Sequence, residues 1–197
     1  MILSNVEIHR ALDERRLVLE PEPQPRTPGL SRSVCPYQAS AVDLRLSDEI
    51  SYFQEDLPVS IDLRRGNFSK LFAPNSNRTK ITNEQPFVLS PGRFVLGKTL
   101  ERVELPITAD GDCLAARIEG KSSYARCGLF VHFTAPTIHA GFAGTITLEL
   151  CNLGPFSISL FPGAYICQLI VETVKGVPFR NDGQFHGQLA AGGNILI

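Results

Sequence analysis

The sequence predicts a mainly β fold of sandwich or barrel type, and three observations support this. Short apolar runs follow one another closely through most of the chain, and several alternate apolar and polar residues. Turn-forming pairs separate neighbouring runs at Pro91-Gly92, Gly154-Pro155 and Pro162-Gly163. The runs do not alternate with long helical patterns, as a parallel α/β sheet would require. We therefore expect a single domain over residues 1–197.

Composition argues against several other classes of protein. Hydrophobic residues make up 43% of the chain and charged residues 20%, which favours a folded core. The formal net charge is −1, so no nucleic-acid partner is expected. No apolar run approaches the roughly 18 residues of a membrane-spanning helix, and we expect a cytoplasmic protein without membrane contact. Five scattered cysteines without a C-x-x-C pair predict reduced thiols and no zinc site.

The beginning of the chain predicts a helix within residues 1–20. Ser4 can cap it, because Glu7 follows three positions later as in a capping box. Four prolines then fall between Pro21 and Pro28, and a helix does not continue through them. Residues 21–38 are therefore predicted to form an extended arm, with a proline-dependent partner site as the alternative.

Predicted strands follow in quick succession. Ala41–Leu46 and Val59–Leu63 alternate apolar and polar residues, whereas the polar segment from Gly66 to Glu84 is predicted to be a loop. Residues 180–197 contain several glycines and few charges, and are predicted to be a mobile C-terminal segment. Further strands are predicted at Phe87–Leu89, Phe94–Leu96, Leu114–Ile118, Leu129–Phe133, Thr145–Leu150, Ser157–Leu160 and Ala164–Val171.

The stretch Gly120–Gly128, GKSSYARCG, has the residue types that a phosphate chain needs. Lys121 and Arg126 place cations on either side of the hydroxyls of Ser122 and Ser123. A P-loop is disfavoured, because its opening glycine is missing and a predicted strand follows where a helix is required. An ordinary polar turn is the alternative interpretation.

A second stretch, Thr134–Asn152, reads TAPTIHAGFAGTITLELCN and contains Glu149 inside a predicted strand. If Leu148 and Leu150 face the core, Glu149 faces the other side of the sheet, where it is either solvated or lines a site. A partly buried carboxylate has a raised pKa and can transfer protons near neutral pH. His139 falls in a predicted loop, where a lone histidine is more often structural or solvated than catalytic.

Together the two stretches resemble the dCTP deaminase family of the trimeric dUTPase-like superfamily. GKSSYARCGL is similar to the family pattern G-R-S-S-x-A-R-x-G-L, and the second stretch to T-A-x-x-I-D-x-G-[WF]-x-G-x-I-x-L-E-x-x-N. ALDERRLVLEP, ASAVDLRL, SPGRFVLGKTLERVELP and ICQLIVE follow the family's order, so the resemblance covers most of the chain. It implies a distorted, jelly-roll-like β-barrel with a short N-terminal helix, in a homotrimer whose active sites lie between subunits.

The resemblance also implies an activity, the zinc-independent hydrolytic deamination of dCTP to dUTP and ammonia in pyrimidine deoxynucleotide metabolism. Mg²⁺ is expected with the triphosphate rather than on protein ligands. The resemblance leaves open whether dTTP inhibits the enzyme by binding at the same site. A dUTP diphosphatase or bifunctional enzyme is one alternative, and an inactive nucleotide-binding regulatory trimer is another.

Individual residues match the family's functional positions. Glu149 matches the general base, which takes a proton from the attacking water. Ser122 and the backbone of Ala135 match the groups that position this water. Arg126 matches a cation beside the carboxylate, which would lower the pKa of Glu149. The other matches are phosphate contacts at Lys121 and Ser123, pyrimidine contacts along Thr147, Leu148 and Glu149, and nucleotide contacts at Gln168, Phe179, Gln184 and Gln188.

Four positions depart from the family pattern. Lys121 replaces an arginine, which loses the bidentate fork but keeps the charge. Phe179 lacks the hydroxyl of the usual tyrosine, and Gln184 lacks the charge of the usual lysine. His139 stands where an aspartate normally contacts the sugar and, in dUTPases, also activates the attacking water. Strong dUTP hydrolysis by that route is therefore not expected, although histidine can still hydrogen-bond a 3′-hydroxyl.

Overall fold

The computed structural model describes residues 1–29, 34–54, 60–62, 64, 74–109 and 113–179. Within them the protein is mainly β, with 45% strand. Helix α1 spans Asn5–Asp13 and helix α2 spans Ser122–Ala125. The strands are β1 Val18–Glu20, β2 Tyr37–Gln38, β3 Ala41–Arg45, β4 Glu49–Phe53, β5 Ser76–Lys80, β6 Phe87–Leu89, β7 Phe94–Glu104, β8 Leu114–Gly120, β9 Leu129–Val131, β10 Thr137–Ile138, β11 Ala143–Asn152, β12 Ile158–Leu160 and β13 Tyr165–Thr173.

The strands form two larger antiparallel sheets and one separate two-stranded antiparallel sheet. The six-stranded sheet has the order β5-β4-β7-β11-β9, with β1 also paired to β7. The five-stranded sheet has the order β10-β8-β13-β3-β2, and β12 pairs with β6. The described strands do not close into a barrel, so of the predicted architecture the mainly β character is confirmed and the closed barrel is not. Residues from both sheets share one core, among them Leu44, Ile118, Leu148, Leu150 and Leu169.

The N-terminal helix begins where the sequence predicts. The Ser4 hydroxyl accepts a hydrogen bond of 3.3 Å from the backbone N–H of Glu7. The helix is short, however, because it ends at Asp13 and β1 takes residues 18–20. Neither described helix has the length and hydropathy that crossing a membrane requires.

The Pro-rich segment lies against the body of the protein in the parts that the structure describes. Nε of Arg26 lies 2.7 Å from Glu22, and Nη1 of Arg26 lies 2.6 Å from Asp13 at the end of α1. Tyr37, only 5% exposed, packs edge-on against the ring of His9 with a centroid distance of 4.4 Å. These contacts attach the segment to α1 and to the first strands.

Most predicted strands are present, and two predictions are wrong. Ser76–Lys80 lies in the predicted loop but forms β5, which escapes a search for apolar alternation because it is an edge strand with mostly exposed side chains. In the predicted strand Val59–Leu63, the described residues 60–62 are irregular. The strand predicted over Leu129–Phe133 ends earlier, at Val131. All five cysteines are free, as predicted.

Two glycines fix the loop after α2 against the end of β11. Gly128 has a φ of 91°, and a Cβ there would lie 2.2 Å from the backbone nitrogen of Gly154. A Cβ at Gly154 would lie 2.2 Å from the carbonyl oxygen of Cys127. Both positions therefore exclude a side chain, and the close contact sets the distance between α2 and β11.

Candidate active site

Glu149 lies on the accessible face of β11, opposite the residue that follows β9. That residue is His132, which has a left-handed φ of 54°. Its backbone N–H donates a 2.8 Å hydrogen bond to the carbonyl of Glu149, and its Nδ1 lies 2.7 Å from Oε2 of Glu149. The imidazole is 8% exposed and the Glu149 side chain 36%. The carboxylate is thus held from one side and open to solvent from the other.

Two opposing effects act on the pKa of Glu149. Burial, the largest single cause, raises this pKa, but the hydrogen bond and charge of the His132 imidazole, together with a backbone hydrogen bond, place it below its ordinary value. Partial burial alone would have raised the pKa of Glu149; instead the pKa is lowered, which is the direction that the resemblance implied for a neighbouring cation. Glu149 is ionised at neutral pH and is ready to accept a proton.

The group beside the carboxylate also differs from the one that the resemblance implied. Arg126 is exposed and makes no ion pair with Glu149 in the described part of the chain, where His132 occupies that place. Sequence reasoning missed His132 because it falls inside the predicted strand Leu129–Phe133. Alternation after the buried Val131 predicts an exposed side chain, whereas the left-handed turn buries it.

The loop with the two hydroxyls lies next to this pair. A Cβ at Gly120 would lie 3.8 Å from Cβ of Val131, the residue before His132. Ser122 and Ser123 follow in the first turn of α2, and both are exposed. The loop with the two hydroxyls therefore packs beside β9, the strand that pairs with the end of β11.

Lys121 points away from solvent, toward a residue that sequence reasoning did not single out. Its ammonium contacts the carboxylate of Asp43 on β3, which is 0% exposed. Nε2 of Gln168 donates to Oδ1 of Asp43 at 2.9 Å, and Nε2 of Gln38 donates to Oδ2 at 3.3 Å. Lys121 and Gln168, two predicted nucleotide contacts, thus meet at one buried carboxylate. The alternation in Ala41–Leu46 predicts an exposed Asp43, but β2 and β13 flank β3 and Lys121 lies against the carboxylate.

The other predicted site residues are spread along the neighbouring segments. Thr147 is half-buried on the same face of β11 as Glu149, whereas Leu148 is 0% exposed and its side chain belongs to the core. A base could therefore meet Leu148 only through its backbone. Ala135 and His139 are exposed between β9 and β11, Phe179 is 88% exposed, and Gln184 and Gln188 lie outside the described residues.

No group of three or more His, Cys, Asp and Glu side chains within the described ranges could hold a metal ion. The described residues supply a proton acceptor, Glu149, on β11 and two hydroxyls and two cations in the loop that packs beside β9. Such a combination suits proton transfer on a substrate that carries phosphate.

Comparisons with known proteins show similarity to one family over most of the chain. A family model described as dCTP deaminase-like matches residues 2–174. A "dCTP deaminase, dUMP-forming" of Dictyoglomus turgidum is 40% identical over 169 residues, which is 86% of this chain and 78% of that protein. A "dCTP deaminase" of Natronomonas pharaonis is 38% identical over 195 residues, 95% of this chain and 88% of that protein.

A solved structure supports the fold. The 2′-deoxycytidine 5′-triphosphate deaminase from Agrobacterium tumefaciens matches with a TM-score of 0.60 at 21% sequence identity. The match covers 86% of this chain and 47% of that chain, so this chain spans about half the length of the solved one.

Proposed function

Since this chain belongs to the dCTP deaminase-like family, we propose that it is an enzyme that removes the exocyclic amine of dCTP by hydrolysis, with Glu149 as general base. The observation that carries this proposal is the contact between Glu149 and His132, at 2.7 Å, on an accessible strand face. With a pKa below its ordinary value Glu149 is ionised near neutral pH, and this is the form that can accept a proton from water.

The reaction requires two proton transfers, and one carboxylate can perform both. Glu149 takes a proton from water as the oxygen attacks C4 of cytosine, and the electron pair of the C4–N3 double bond moves to N3, which Glu149 then protonates. In the second transfer a proton of the new C4 hydroxyl passes through Glu149 to the amine. The C–N bond breaks, ammonia leaves, and a carbonyl forms at C4.

The surrounding residues would bind and orient the substrate. In this proposal the Ser122 hydroxyl and the Ala135 backbone hold the water, while Ser123 and Arg126 contact the phosphates. dCTP enters as its magnesium complex, so the cation arrives with the substrate. The exposure of Ser122, Ser123 and Arg126 supports these roles, because each is reachable from solvent.

We further propose that the site is completed by neighbouring copies in a homotrimer. In one protomer the candidate residues Ser122, Ser123, Arg126 and Ala135 are all exposed. Beside them, Phe130 and Phe133 are 37% and 57% exposed, with ring centroids 5.1 Å apart. Exposed aromatic pairs of this kind favour a protein contact. Sedimentation or light scattering of the purified chain tests this point.

A product assay on purified protein with dCTP and Mg²⁺ tests the proposed activity. Ammonia and pyrophosphate are measured in the same reaction, with dUTP as a parallel substrate. Ammonia without pyrophosphate is the expected result for deamination to dUTP. Bound nucleotide without either product would contradict the proposal and favour the regulatory trimer.

A second candidate function adds the hydrolysis of dUTP to dUMP. Its support is that the relative from Dictyoglomus turgidum is named as dUMP-forming. His139 argues against the usual route, since a histidine replaces the aspartate that activates water in dUTPases. Pyrophosphate released together with ammonia would establish this second step and would require a base other than residue 139.

A further inference from the structure

Asp43 joins three separate parts of the chain without entering the proposed chemistry. Its carboxylate is fully buried and receives Lys121 from the start of α2, Gln168 from β13 and Gln38 from β2. Burying a carboxylate without such partners costs several kcal/mol. The position of the carboxylate therefore depends on its three donors, and the positions of the donors depend on the carboxylate.

Lys121 is partly exposed, and its ammonium has more donors than its contact with Asp43 uses. The Lys121 side chain is 20% exposed, and the ring of Tyr165 lies 5.9 Å from its Nζ. An ammonium has three N–H donors, and the contact with Asp43 uses one side of it. A lysine that is already held in place loses less conformational freedom on binding a phosphate than a mobile one.

Lys121 also determines where the hydroxyl loop begins. It is the residue that precedes Ser122 at the N-terminus of α2, and no side chain caps that short helix. The contact of Lys121 with Asp43 therefore fixes where the chain goes from the end of β8 into α2, which begins with Ser122 and Ser123.

We propose that Asp43 is a positioning residue that holds Lys121 and Gln168 in place for the triphosphate. This inference rests on the proposed function, because it takes Lys121 to be a phosphate contact. It also gives the Pro-rich segment a role. Gln38, at the end of that segment, donates to Asp43 and, at 3.4 Å, to the carbonyl of Cys35, so the segment braces the phosphate-binding lysine.

A double-mutant cycle tests the proposal, using Asp43→Asn, Lys121→Met and the double variant. Steady-state kinetics with dCTP should show KM raised about tenfold in Asp43→Asn, with kcat within about twofold of the wild type. In the Lys121→Met background, Asp43→Asn should change KM by less than about twofold, because its effect passes through the lysine. Additive effects, or a KM that is unchanged or lower in Asp43→Asn, would overturn the proposal.

Glu101→Gln is the matched control. Glu101 is also 0% exposed and paired with a cation, and within the described part of the chain its carboxylate is hydrogen-bonded to Arg45 and not to the loop. It should lower the thermal midpoint and leave the KM for dCTP unchanged. Equal KM effects in Glu101→Gln and Asp43→Asn would mean that Asp43 has only a structural role.

A second variant covers the case in which Asp43→Asn does not fold. Gln38→Ala removes one donor from an exposed position, and it should raise KM about threefold at unchanged kcat. No change in KM would contradict the role of the Pro-rich segment and, without a folded Asp43 variant, the positioning of Lys121.

Inorganic tripolyphosphate separates failure of this inference from failure of the proposed function. Its binding to wild type, Asp43→Asn and Lys121→Met can be measured by calorimetry without turnover. If the wild type produces no ammonia but binds tripolyphosphate, and both variants lose that binding, the proposed function is contradicted and the inference about Asp43 is not. If the wild type produces ammonia but tripolyphosphate binds equally to wild type and Asp43→Asn, the inference about Asp43 is contradicted and the proposed function is not.

Discussion

Glu101 and Glu149 lie on adjacent strands of the same sheet, and their surroundings give them opposite properties. Glu101 on β7 is 0% exposed; its Oε1 lies 2.6 Å from Nε of Arg45, and its Oε2 accepts a 2.9 Å hydrogen bond from the Arg45 backbone. Burial raises the pKa of Glu101, and Arg45 offsets this only in part. Burial also raises the pKa of Glu149, but there the contact with His132 contributes to a net lowering of the pKa.

The difference shows that the depth of burial decides whether a neighbouring group controls a carboxylate. Glu101, fully enclosed, ties β7 to β3 and has no access to water. Glu149, about one-third exposed, keeps a partner and an opening to solvent. Only the second environment suits a group that must exchange protons with a substrate.

The largest expected effect is the loss of activity on changing Glu149. Glu149→Gln should lower kcat by about 10²–10⁴, because the amide cannot accept a proton from water. Glu84→Gln, which changes an exposed glutamate in a turn, should have wild-type kcat. The measurement is ammonia release at saturating dCTP, and near-normal turnover by Glu149→Gln would remove Glu149 from the mechanism.

The next effect separates the two glutamates by stability. Glu101→Ala should lower the free energy of unfolding by about 3 kcal/mol, because it leaves the guanidinium of Arg45 without its partner in a largely buried place. Urea unfolding followed by circular dichroism measures this. A loss below about 1 kcal/mol would mean that the pair contributes no more than a surface salt bridge.

A smaller change tests what controls the pKa of Glu149. His132→Asn keeps a residue that tolerates the left-handed turn but removes the imidazole. The pKa of Glu149 should then rise, and the acid limb of the kcat/KM profile should move to higher pH. His9→Asn, at a histidine on α1, should leave this limb in place. An unmoved acid limb in His132→Asn would contradict the assignment of His132 as the group that lowers the pKa.

The smallest effect is a difference in the pH dependence of stability. The pKa of Glu149 is lowered on folding, so its contribution is present above the ordinary value of 4.5 and is lost as the pH falls through the folded pKa. The pKa of Glu101 is raised, so its contribution declines as the pH rises above 4.5. Unfolding free energies of wild type, Glu149→Gln and Glu101→Gln between about pH 3 and 7 check these signs, since the Glu149 change falls below pH 4.5 and the Glu101 change above it. The same sign for both glutamates would refute the comparison.

Local patterns were sufficient for much of this protein. The capping contact of Ser4 with Glu7, most strands and the outward face of Glu149 follow from spacings of a few residues. Such features need only the neighbouring chain, because hydrogen bonding in a helix cap and alternation along a strand are set within a few positions. The exposed edge strand β5 was missed because no buried face imposes alternation on it.

Which groups pair with the charged side chains, by contrast, could be read only from the tertiary structure. Asp43 meets Lys121 across 78 positions and Gln168 across 125, and strand pairing brings them together. His132 reaches Glu149 because of one left-handed residue at the end of a strand. Residue spacing along the chain does not encode such register and turn geometry, and these contacts decide which carboxylate is structural and which can react.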